Sequence, residues 1–92
     1  MLTDRILEPE RVAVVIRDYL SGDIDGLEAS LRALRLAGST DRILAGHQTR
    51  VIVAAYWALR RLAESEPTRP TSEEMTFLLD CVEGRRRFPQ PD

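Results

Sequence analysis

A chain of 92 residues with a net charge of −2 and 43% hydrophobic residues is expected to form one small globular domain, residues 1–92, with a core of limited size. That charge balance argues against the strongly basic surfaces of dedicated nucleic-acid or anionic-membrane binders. A single cysteine, Cys81, rules out an internal disulfide, and acidic residues stand where a secretory leader needs its apolar core, so a cytoplasmic location is expected. All thirteen basic side chains are arginine, and neither Lys nor Asn occurs, which suits the codon usage of a GC-rich bacterial or phage genome.

Pro9 suits a first helical turn, and Glu8 and Glu10 suit the positive end of a helix dipole. Val12, Val15, Ile16, Tyr19 and Leu20 then follow at helical spacing until Gly22. The segment is rich enough in β-branched residues to form a strand, but no second strand pattern exists to pair with it, so a helix is predicted.

In the second segment Ile24, Leu27, Leu31 and Leu34 recur at alternating spacings of three and four, which predicts a buried leucine stripe. Glu28, Arg32 and Arg35 fall on the wet side. Gly38 suits the position after the helix, and Ser39, Thr40 or Asp41 can cap the next one.

The third predicted helix runs from about 41 to 64 and is stopped by Pro67, with Gly46 weakening its first turns. It contains the unbroken apolar run Val51–Leu59, bracketed by Arg50 and by Arg60 and Arg61. A bilayer-spanning helix needs about 20 apolar residues, so this run cannot cross a membrane. It is nevertheless too apolar to have a wet face of ordinary width. Leu44, Gln48, Val51, Ile52, Ala55, Ala58, Leu59 and Leu62 share one broad face, while Val53 and Trp57 point the other way beside the arginines, with Tyr56 at the border.

Thr71 and Glu74 match a capping box for a fourth helix with the stripe Met75, Leu78, Leu79 and Val82, ended by Gly84. Residues 85–92 are expected to fray, with Arg85, Arg86 and Arg87 suited to the negative end of that helix. The predicted fold is therefore all-α, a small four-helix bundle or helical-hairpin domain with the third helix central.

No constellation supports catalysis. His47 and Cys81 lie on different helices with no orienting group nearby in sequence, and no ligand spacing suits zinc. Asp23 and Asp25 suit the start of the second helix, and Glu73 and Glu74 the start of the fourth. Glu64 and Glu66 form one more carboxylate pair, and no glycine-rich phosphate loop is present. The chain is expected to be neither an enzyme nor a cofactor or metal binder. The expected function is non-catalytic protein binding, as a regulator, inhibitor or adaptor, through Arg50, Val53, Tyr56, Trp57, Arg60 and Arg61. Val53 and Trp57 could instead be covered inside the bundle. A homodimer is expected, because a chain of this size struggles to cover its own core. The alternative is a DNA-binding regulator with a helix-turn-helix-like segment around Leu34–Gln48, presenting Ser39, Thr40, Arg42 and Gln48.

Overall fold

The first helix, α1, spans Pro9–Ser21, with proline at its start and a left-handed glycine, Gly22 (φ 87°), at its end. Its buried side carries Val12, Ala13, Val15 and Ile16. A computed structural model describes residues 7–38, 50–65 and 68–88 of the chain, which hold four helices. The first part of the predicted third helix, with its candidate caps Ser39, Thr40 and Asp41, lies outside the described residues.

The second helix, α2, spans Gly26–Leu36. The carboxylate of Asp25 caps it by accepting the Glu28 N–H at 2.8 Å. The third, α3, is described over Arg50–Arg61 and tightens at its end into turns in which Leu62 N–H donates to the Leu59 carbonyl. The fourth, α4, spans Ser72–Val82, and Thr71 Oγ1 accepts the Glu74 N–H at 3.1 Å, half of the expected capping box. Thr71→Ala should therefore lower stability by about 1 kcal/mol. A urea midpoint equal to the parent's would show that this cap contributes nothing.

The helices pack as a four-cornered bundle. α2 lies between α1 and α3, and α4 between α3 and α1, while α1 and α3 also touch across the centre. α3 therefore meets every other helix, as expected for the central element, and shares that position with α1. The largest fully buried side chains are Tyr56, Ile16, Leu59, Leu62, Met75 and Val12, with Ser30 the one buried polar residue among those described. No described helix is long and apolar enough to cross a membrane.

The register of α2 differs from the predicted one. Leu27 is 59% exposed and Leu31 37%, whereas the buried face consists of Ala29, Ser30, Ala33 and Ala37. The reason is close approach. A Cβ built on Gly26 would overlap the Leu62 carbonyl oxygen, and Ser30 Oγ donates to the Arg60 carbonyl at 3.1 Å. The start of α2 thus lies against the end of α3, so the two helices run antiparallel, and only small residues fit in the seam between them.

Beyond α4, Gly84 (φ 82°) turns the chain so that Arg85 N–H donates to the Asp80 carbonyl at 2.8 Å. The Arg85 guanidinium also holds the Asp80 carboxylate at 2.7 Å. The first residues of the segment expected to fray are therefore hydrogen-bonded. Glu83 receives both Arg17 of α1 and Arg85, and these bonds hold its carboxyl below the ordinary glutamate range.

Candidate protein-docking face

The outer side of α3 can be built residue by residue from its periodicity. At about 100° per residue, Ile52, Ala55, Tyr56, Ala58 and Leu59 form the buried face. Arg50, Trp57 and Arg61 lie diametrically opposite and are exposed, with Val53 and Ala54 half-buried at the margins. Trp57 is 40% exposed, and its ring meets that of Tyr56 edge-on at 5.0 Å. The structure thus separates the aromatic pair: Tyr56 is a core residue, and Trp57 stands at the surface on its edge.

The α2 leucines enlarge this surface. Ser30 and Arg60 mark the seam: the Arg60 guanidinium donates to the Ser30 carbonyl at 3.2 Å and also reaches Ser30 Oγ. Going outward from Ser30 around α2, the next positions are Leu34, Leu27 and Leu31. Going outward from Arg60 around α3, they are Val53 and Trp57. Both rows open on the same side of the seam, so the exposed leucines of α2 and the tryptophan of α3 face the same way.

On the opposite margin Ala54 and Arg61 share a cleft with Glu73, Glu74, Phe77 and Leu78 of α4. Arg86 lies over the Phe77 ring at 5.6 Å and Arg50 over that of Phe88 at 5.9 Å. Of the residues expected to form the interface, Arg50, Trp57 and Arg61 are thus exposed together. Val53 and Arg60 line the seam beneath them, and Tyr56 belongs to the core. Leu27, Leu31 and Phe77 were not among the expected interface residues. The signal for the leucines is the spacing of Gly26, Ala29, Ser30, Ala33 and Ala37, which marks a second, narrower stripe suited to close packing.

A second cleft of about 420 Å³ lies between α1 and α2, lined by Val14, Val15 and Leu36 with Arg11, Arg32 and Arg35. Its guanidinium groups are already matched to carboxylates: Arg11 to Glu8, Arg32 to Asp18 and Glu28, and Arg35 to Glu28. Cys81 is buried, and burial pushes its thiol pKa up, away from the reactive thiolate. Among the described residues no cluster of His, Cys, Asp and Glu could hold a metal ion. His47 and the helix-turn-helix-like positions Ser39, Thr40, Arg42 and Gln48 lie outside the described residues. Comparison of the chain with protein-family models, curated proteins and solved structures gives no match.

The exposure of Leu31 carries its own prediction. Leu31→Ala should lower stability by under about 1 kcal/mol, as at a surface position, and not by the ~2–5 kcal/mol of a buried leucine. A large drop in the denaturation midpoint would restore the leucine stripe to the core.

Proposed function

We propose that this chain is a non-catalytic protein-binding module whose docking face is the outer side of α3 and the adjoining flank of α2. The observation that carries this is Trp57, exposed on the same side of the bundle as Leu27 and Leu31 and flanked along α3 by Arg50 and Arg61. Tryptophan and arginine are the residue types that dominate binding hot spots, because they bury a large area and lose little side-chain freedom in doing so. Regulation, inhibition and bridging between partners are all served by such a face. The homodimer expected from the chain's size would compete with a partner for this face.

A photoreactive phenylalanine derivative at position 57 tests this proposal in extract of the source organism. Illumination should give discrete protein adducts that are absent when the same group replaces the exposed Ser21 of α1. An adduct of twice the chain mass would identify a homodimer. Trp57→Ala should leave the chain folded while weakening association by about 2 kcal/mol, or roughly 30-fold. Adducts no different from those at Ser21, together with unchanged association, would remove the docking face.

A further inference from the structure

The described arginines differ in what they hold: Arg60 and Arg69 donate to backbone carbonyls and Arg50 lies over Phe88, while the others hold a carboxylate or none. On α1, on α2 and just beyond α4, Arg11, Arg17, Arg32, Arg35 and Arg85 each hold a carboxylate. Arg61, Arg86 and Arg87 hold none among the described residues. Arg61 and Arg86 flank the same ring, Phe77, at the edge of the face centred on Trp57. Glu73 and Glu74 border that cleft without forming an ion pair with Arg61. Arg61 and Arg86 thus stand without a carboxylate partner among the described residues, at a cleft that Glu73 and Glu74 also line.

We infer that the occupant of this face is an acidic amphipathic helix of another protein, its apolar seam on Trp57, Val53 and Leu31 and its carboxylates on Arg61 and Arg86. The inference rests on the protein-docking function proposed above and names the partner's chemistry. Guanidinium groups recognise carboxylates with paired, charge-assisted hydrogen bonds, which gain strength where the neighbouring contact excludes water. A helix fits because the surface is built from the sides of two antiparallel helices. Their backbone groups are spent within the helices, so no sheet edge is offered to an extended peptide. A second copy is the competing occupant, because a two-fold contact that sets Arg61 against the other copy's Glu73 or Glu74 would also pair these charges. Single-stranded nucleic acid would use the arginines and the rings but leave the exposed leucines of α2 uncovered.

Trp57 is the one tryptophan of the chain, so its emission reports the face directly. The probes are a synthetic helical peptide of about 20 residues with a leucine seam flanked by glutamates, and its counterpart with lysines in their place. A thymidine oligonucleotide and sedimentation of the chain alone complete the set. The glutamate peptide should shift Trp57 emission to the blue and saturate, with affinity falling about tenfold between ~0.05 and ~0.5 M salt. The lysine peptide should bind at least about tenfold more weakly, and R61Q/R86Q should remove most of that preference while the circular dichroism stays that of the parent.

Equal binding of the two peptides, or binding of neither, overturns the acidic partner, while adducts at position 57 still uphold protein docking. A dimer whose dilution exposes Trp57 replaces the partner helix with a second copy. Oligonucleotide binding tighter than either peptide, with no protein adducts at position 57, overturns both the partner and the docking function.

Discussion

Tyr56→Ala is expected to lower folding stability by about 3–5 kcal/mol, the range for removing a buried aromatic side chain. Tyr56 is fully buried and is the largest such side chain in the described core. A domain of this size has in all roughly 5–15 kcal/mol of stability, so the variant should be largely unfolded under mild denaturant. The contrast with its neighbour makes the test decisive. Trp57 is one step along α3, about 100° around the axis, and its replacement should cost far less folding stability. Urea denaturation of the two variants side by side checks the orientation of the helix. If Tyr56→Ala unfolds with the parent and Trp57→Ala does not, then α3 is rotated and the docking face is lost.

The caps and breakers of this fold were legible in the sequence because each acts through one or two local bonds. Asp25 and Thr71 accept the N–H groups expected of them, and Gly22 and Gly84 adopt the left-handed backbone that ends a helix. The apolar run of α3 also gave away its burial, since Ile52, Ala55 and Leu59 have nowhere else to go. The rotation of α2 was not legible in the same way. Its leucines have the larger transfer free energy, so periodicity alone assigns them to the core. What decides instead is the distance between two helix axes, which the small residues Ala29, Ser30 and Ala33 permit and leucine would forbid. That distance is a property of the pair of helices; the small-residue stripe of α2 permits it, but the leucine stripe beside it has the stronger claim on periodicity alone. The same rotation that buries alanine brings Leu27 and Leu31 out on the same side as Trp57, so the error in register concealed half of the candidate face.

Gly26→Val should disrupt this arrangement most directly, lowering stability by about 3 kcal/mol, the upper end of the range for overpacking. Gly26 is the first residue of α2, and its backbone needs no special conformation there. The glycine is needed for space. A side chain at that position meets the carbonyl oxygen of Leu62, part of a backbone fixed by the last turn of α3, so neither partner can swing away as a flexible side chain would. The strain must be relieved by moving α2 outward. That stretches the bonds between Ser30 and Arg60 and leaves the alanine face incompletely packed. Better helix propensity opposes this with a gain of under about 1 kcal/mol, too little to offset the overlap. The variant should also bind the glutamate peptide more weakly, because the leucines of α2 move relative to Trp57. A variant as stable as the parent would show that the seam opens freely. The small residues of α2 would then have no structural role, and the exposed position of its leucines would lose its physical cause.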